Sequence, residues 1–385
     1  MNDEDVTSAP APAPAVDAPR PAPRPSRPPL PPAGPAWFPS VMGTGILATL
    51  LCLHASGAAA LGAASTVVLV LAWGLLLLLG TLFATRCLRG SGVLVASLRD
   101  PAQSPMWGTV AMGVLAVGSA TITVVPERLP ALAGQAVAVD VVLWCLGTAL
   151  GVYTAADFAV GLAVRDLGRP LPAWGLPVVA PMVSATTGCA LSDHIGSPGG
   201  KLCMLVALVA CFGISLVLGG VVFAVAYHHH WRREPLPLAL VPSLWIPLGM
   251  VGQSTAAVQS IGTRSAQLLR PELGGTVSAL SAGYAVVVLA VIGTVLGGYA
   301  VVATVRGFAH GMPFSPGWWA MTFPLGTCAL GATFAGTVHH SATWSAAGTT
   351  LTWCLVGTWS LCAVASLRAL LVARAEHRDR AGHSA

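Results

Sequence analysis

"GWWAMTFPLGTCAL", Gly317–Leu330, lies inside an apolar stretch. It begins with two adjacent tryptophans, continues with a phenylalanine joined to a proline, and then carries Gly326 and Thr327. A helix that only has to sit in lipid needs none of these. Proline removes a backbone donor and bends a helix. In hydrocarbon, a carbonyl freed this way is tolerated only where protein or water covers it. The stretch therefore reads as a membrane helix that faces inward, and the rest of the chain must supply what surrounds it.

The composition agrees. The chain has 385 residues, 55% of them hydrophobic and 9% charged, against about 25% charged in ordinary soluble domains. The mean hydropathy is +0.76. No soluble core hides that much apolar surface, so the bilayer is the expected solvent. A spanning helix needs roughly 20 mainly apolar residues. Ten such spans are expected, at 37–56, 64–86, 106–125, 135–163, 174–193, 201–228, 237–261, 276–306, 316–338 and 344–373. They define a transmembrane domain over 36–374, preceded by a tail over 1–35 with twelve prolines and followed by a short tail over 375–385. The proline-rich tail cannot bury enough apolar surface to fold and is expected to be disordered.

Basic residues test the count. With the N-terminus cytoplasmic, fifteen of the 19 Lys and Arg fall on the inner side, leaving Arg128, Lys201, Arg264 and Arg270 outside. One miscounted helix would scramble that bias, so it predicts ten spans with both termini in the cytoplasm of a plasma-membrane protein. The formal charge of +5 then reflects topology. No basic face with interleaved aromatics offers itself to nucleic acid, and the partners expected are membrane lipid and a small solute. Most of the nine cysteines fall inside apolar segments and read as small packing residues.

A second pattern separates odd spans from even ones. Prolines lie within the first span (Pro39), the fifth (Pro177, Pro181), the seventh (Pro242, Pro247) and the ninth (Pro324), whereas the even spans contain none. Kinked helices belong where protein or water covers them, and straight ones belong against lipid. The expected fold is all-α: five helical hairpins, with the odd helices as an inner ring around a central pore and the even helices as an outer ring.

The odd spans also hold the uncharged polar groups. Gly43, Thr44 and Gly45 in the first, Thr186 and Thr187 in the fifth, Gln253 and Ser254 in the seventh and Thr327 in the ninth are candidates for the pore wall, with Pro177, Pro181, Pro247 and Pro324 as its kinks. Hydroxyls and amides can line a wet path without the cost of an intramembrane charge. Arg264 and Arg270 stand where they can concentrate anions at the outer mouth. Asp140 and Asp157 in the fourth span are candidates for proton coupling, since intramembrane carboxylates are functional suspects. His54, His339 and His340 are candidates for a pH-sensitive entrance. No metal site and no cofactor are expected. HExxH and GxSxG motifs are missing, and "GSPGGKL" (Gly196–Leu202) lacks the P-loop spacing, so an integral-membrane enzyme is only a remote alternative.

Four stretches carry a resemblance. "FSPGWWAMTFPLGT" (Phe314–Thr327) resembles the ninth-helix signature of the tellurite-resistance/dicarboxylate transporter family, which includes bacterial tellurite-resistance channels, fungal malate and sulfite carriers and plant slow anion channels. "WFPSVMGTGILATLL" (Trp37–Leu51), "PAWGLPVVAPMVSATTG" (Pro172–Gly188) and "LWIPLGMVGQSTAAVQSIG" (Leu244–Gly262) are similar to its first, fifth and seventh helices. The resemblance implies a ten-helix, five-hairpin ring, often trimeric, that transports small anions without a cofactor. The expected cargo is a C4-dicarboxylate, sulfite, chloride, nitrate or a tellurite-like oxyanion. The resemblance also implies a phenylalanine on the ninth helix that blocks the pore. Phe323 matches best and Phe334 is the fallback. A proton-coupled dicarboxylate or sulfite carrier is the alternative to a gated channel.

Overall fold

The structure, a computed structural model, describes residues 30–55 and 57–383. The expectation of disorder for the proline-rich tail lies outside the described residues up to position 29. From Leu30 the chain lies against the helices: the Trp37 indole donates to the Pro31 carbonyl, and Arg86 donates to the Ala33 carbonyl.

Among the described residues all regular structure is helical. Nine helical segments among the described residues are long and apolar enough to cross a membrane: Pro35–Leu53, Ala59–Arg89, Ser104–Arg128, Pro130–Val164, Pro172–Ser192, Pro198–Arg232, Pro271–Ala309, Pro316–Val338 and Ala342–Glu376. These correspond to the expected spans one to six and eight to ten. The seventh is present as a short 3-10 stretch, Leu238–Trp245, running into an α-helix, Ile246–Leu268. It carries Gln253, Ser254, Thr255, Gln259, Ser260 and Arg264 in six turns and is too polar to pass on composition alone. The last helix runs on to His383, so most of the expected C-terminal tail is helical.

Burial sorts the helices as the proline pattern predicts. The apolar windows of spans one, three, five and nine are 83, 72, 94 and 78% buried, whereas those of the even spans are 11, 22, 28, 22 and 17% buried. The seventh helix is buried along most of its length. The five odd helices close on themselves: the first packs on the third, the third on the fifth, the fifth on the seventh, the seventh on the ninth and the ninth on the first. Each odd helix also packs against the even helix that follows it. Outward from the ring, Val70, Leu77, Val206, Val217, Leu280, Val295, Val364 and Leu367 are exposed, as an apolar belt facing lipid must be.

The prolines work differently from the expected mid-helix kinks. All five odd spans enter through a 3-10 turn that holds a proline, followed closely by a tryptophan: Pro35–Trp37, Ser104–Met106 before Trp107, Pro172–Trp174, Leu238–Trp245 and Pro316–Met321 before the helix Phe323–Val338. Pro39, Pro247 and Pro324 occupy the first or second position of an α-helix, where the missing N–H is needed by no carbonyl. Pro181 alone of the expected kinks lies well inside a helix. A 3-10 turn is tighter than an α-turn, and five such turns stand where the chain enters the ring. The tryptophans fix them. Trp245 donates to Thr304 Oγ1 at 2.9 Å, Trp318 to the Pro313 carbonyl at 3.0 Å and Trp319 to Ser366 Oγ at 3.0 Å. Trp318 and Trp319 are thus buried joints.

Candidate functional site

Two cavities of about 220 Å³ each lie inside the ring of odd helices. One opens toward the face on which the described N-terminal segment lies, and is bordered by Pro31, Pro39, Met42, Met112, Ile246 and Pro324. Its wall is almost wholly apolar. The other reaches the opposite, far face, and is bordered by Thr49, Thr123, Thr186, Thr187, Gln253 and Phe334 among others. All five odd helices contribute to each. Phe323 is the one described residue that borders both. Its side chain is 3% exposed and packs in the same apolar cluster as Met42, Ile46, Met112 and Leu330.

The register of Phe323 follows from its neighbours. Thr322 caps the 3-10 turn by donating to the Trp319 carbonyl at 2.7 Å, and Pro324 opens the α-helix one residue after Phe323. Phe323 is therefore the first residue of a new helix, just after the 3-10 turn. Gly326 lies against Ile46 and Gly249 against Pro324, so small residues let the first, seventh and ninth helices close around it.

On the far side the wall is mixed, with hydroxyls and an amide set among apolar side chains. Thr186 Oγ1 bonds the Met182 carbonyl at 3.2 Å and approaches the Gln253 carbonyl at 3.4 Å, which joins the fifth helix to the seventh. The Gln253 side chain is 2% exposed and its Oε1 has no hydrogen-bond partner. At the mouth, Arg264 Nη2 meets Asp193 Oδ2 at 2.5 Å, and Nη1 meets Gln267 Oε1 at 3.3 Å. Asp193, at the end of the fifth helix, and Arg264, on the seventh, both border the cavity. The expected attraction of anions by Arg264 is therefore tempered by a carboxylate, a partner that went unread because it lies 71 residues away.

The structure brings Phe323, Phe334, Thr186, Thr187 and Gln253 together around the far cavity, with Pro324 on the near one. Other candidates serve as helix contacts. Thr44 donates to the Ser40 carbonyl at 2.7 Å and accepts from the Trp359 indole at 2.9 Å, so it turns toward the tenth helix. Gly43 lies against Thr322, and Gly45 against Ala116. Pro177 sits where the third helix crosses at Gly108, and Pro247 starts the seventh helix. Thr327 is fully buried and donates to the Pro324 carbonyl at 2.7 Å. Ser254 accepts from Tyr284 of the eighth span at 3.1 Å, on the side away from the cavities. Arg270 precedes the eighth span at the far face.

Of the two fourth-span carboxylates, Asp157 is half-exposed and paired with Arg165 at 2.8 Å. Asp140 is 1% exposed, lies against Gly118 of the third helix, and has no partner on either oxygen. His54 closes the first helix with its Nε2 3.4 Å from Thr333 Oγ1, and His339 and His340 end the ninth helix. All nine cysteines are free; four are buried, and Cys145, Cys203 and Cys354 are exposed on even helices.

The polar wall residues not singled out from sequence include Thr49, Ser119, Thr123 and Asp193. Ser119 and Thr123 stand four residues apart on the third helix among apolar neighbours, which is the signal that could have found them. Comparison with known proteins agrees with this architecture. The chain is 25% identical over 336 residues, 85% of its length and 88% of the relative's, to the sulfite efflux pump SSU1 of Trichophyton rubrum. It is 24% identical to the protein of the same name in Arthroderma benhamiae, over 85% of this chain and 88% of that one. It is 24% identical over 298 residues to an uncharacterized transporter of Methanocaldococcus jannaschii, covering 76% of this chain and 80% of that one. The voltage-dependent anion channel family matches residues 33–367, which is nearly the whole helical ring, and the chain belongs to that family.

Proposed function

We propose that this chain conducts small anions through the ring of odd helices, with Phe323 as the plug between a near and a far vestibule. The carrying observation is that Phe323 alone among the described residues borders both cavities. An apolar constriction closes a path by sterics and by excluding water, and the hydroxyl wall beyond it can hydrate an ion without trapping it. The seventh helix crosses the membrane in this reading, for ten spans in all, with both termini in the cytoplasm and the chain in the plasma membrane as a homotrimer. Sulfite is the cargo to test first, because the relatives that cover most of this chain are called sulfite efflux pumps. Chloride, nitrate, a C4-dicarboxylate and tellurite-like oxyanions complete the panel. In proteoliposomes, Phe323→Ala is expected to raise anion flux over wild type, and equal flux in the two proteins rejects the plug.

Proton-coupled carriage is the second reading, and Asp140 is what favours it. A buried carboxylate with both oxygens unpartnered is costly unless it serves a purpose. Uptake driven by a pH gradient in wild type and indifferent to it in Asp140→Asn would establish this reading, whereas uptake indifferent to the gradient in both removes it.

A further inference from the structure

Among the described residues that border the far cavity one is a basic side chain, Arg264, and the way it is held is informative. A guanidinium grips a carboxylate most firmly along one edge, with Nε and an Nη each on a separate oxygen. Here that edge is half engaged: Arg264 Nη2 is on Asp193 Oδ2 at 2.5 Å, while Nε is buried without any partner. The two side chains are 22% and 50% exposed, so Arg264 is fixed in the wall and Asp193 is free to swing into water. About three turns of the seventh helix deeper, Gln253 presents an amide that is 2% exposed and whose Oε1 is also unpartnered. An amide with one free end can rotate to offer N–H to an acceptor. Thr186, Thr187 and Ser260 add hydroxyls on the same cavity.

The half-engaged edge of Arg264 suits a ligand that has two or more oxygen acceptors and a negative charge. We propose that the far cavity is an oxyanion site in which Arg264 is the anchoring donor, and that Asp193 is a tethered competitor which an arriving oxyanion displaces from the Nε–Nη2 edge. The proposal rests on the anion-conducting reading above and adds to it a substrate class and a specificity residue. The competitor has a physical use. A bare arginine in a narrow, low-dielectric vestibule would hold an anion too long, whereas conduction needs binding weak enough to release. Asp193 returns to Arg264 as the anion leaves, which sets affinity low and release fast. The planar fork also separates oxyanions from halide, because only a ligand with two suitably spaced oxygens uses both donors of the edge.

The test is the half-saturating concentration for sulfite, nitrate and chloride flux in proteoliposomes, measured in wild type, Asp193→Asn, Arg264→Gln and Arg264→Lys. All four are measured in the Phe323→Ala background as well, with melting temperatures in detergent recorded for each. Asp193→Asn is expected to lower half-saturation for sulfite severalfold. Arg264→Gln is expected to raise it by about tenfold, within the range that local charge adds to ligand concentration. Arg264→Lys keeps chloride near wild type and loses the preference for sulfite and nitrate. If the pair is only a strut between the fifth and seventh helices, Asp193→Asn and Arg264→Gln shift flux in the same direction, and that result overturns the proposal. So does a sulfite preference retained in Arg264→Lys. If Arg264→Gln does not fold, the opposite shifts expected of Asp193→Asn and Arg264→Lys for sulfite still decide. Failure of the underlying reading looks different: wild type and Phe323→Ala then carry no anion at all.

Discussion

Gly252 of the seventh helix lies directly against Thr327 and the backbone amide of Cys328 on the ninth, so that a methyl group built on Gly252 would strike the Thr327 hydroxyl and main chain. This contact holds the two helices beside Phe323 at backbone distance. Replacing an interior helical glycine with alanine ordinarily gains about 1 kcal/mol. Here the obstacle is main chain that has no rotamer to change. Overpacking typically costs about 1–3 kcal/mol, so the clash outweighs the gain. Gly252→Ala is expected to lower the melting temperature of the purified protein. Gly220 on the sixth span, with open space around its α-carbon, is the control, and Gly220→Ala is expected to hold or raise it.

The two phenylalanines of the ninth helix are separable by position. Phe334 lies eleven residues beyond Phe323, or about 16 Å along a helix, and borders only the far cavity. A plug at Phe323 leaves the path closed whatever stands at 334. Phe334→Ala is expected to leave anion current near wild type. Phe323→Ala is expected to raise it at least tenfold, which requires the barrier to fall by about 1.4 kcal/mol. Planar-bilayer recordings of both variants check this, and a large current from Phe334→Ala would move the plug to the fallback position.

Much of this architecture could be read from residue order because the membrane leaves few options. Apolar runs of sufficient length must be helices, and the prolines within them mark four of the five inner ones, with the third placed by alternation. The odd and even sets follow from that rule, and Val217 on the sixth span and Met182 on the fifth show it, the first 67% exposed and the second fully buried. What the proline pattern hid was how the inner helices begin. Pro39, Pro247 and Pro324 look alike as kinks in a sequence. Only the structure shows that each follows a 3-10 turn, and that a proline-then-tryptophan signature recurs at all five entrances. The site was partly legible for a related reason. Thr186, Thr187 and Gln253 were found because polar residues on an inner helix have few other uses. Thr44, Ser254 and Thr327 obeyed the same rule and yet bond to neighbouring helices or to their own backbone, since hydroxyls in hydrocarbon serve packing as readily as hydration. Asp193 escaped notice because its meaning lies in a partner on another helix.

The entrance turns carry a prediction of their own. Thr304, on the eighth span, is 6% exposed, and its hydroxyl accepts the Trp245 indole N–H at 2.9 Å. Thr304→Val keeps the shape and leaves that N–H buried without an acceptor, a loss of about 1–3 kcal/mol. Thr304→Ser keeps the acceptor and removes only a methyl group. Unfolding in detergent is expected to show Thr304→Val clearly destabilised and Thr304→Ser close to wild type. Equal losses in the two would assign the effect to packing alone.

His54 gives the stability a pH dependence whose sign can be worked out. It follows the first helix at the far face, and burial lowers its pKa from the ordinary 6.5. Burial disfavours the charged imidazolium, so the unfolded chain takes up this proton more readily than the folded one. Stability rises with pH wherever the unfolded state binds more protons. Above 6.5 both states are neutral at this residue and it contributes nothing. As the pH falls below 6.5 the unfolded state gains a proton first, and the fold loses stability until the folded form is protonated as well. His54→Gln removes this dependence while keeping a polar group within reach of Thr333. The drop in melting temperature between pH 7.5 and 5.5 is therefore expected to be smaller in His54→Gln than in wild type, with the two proteins alike at pH 7.5. An equal drop in both would show that His54 is protonated as readily in the folded helix end as in the open chain.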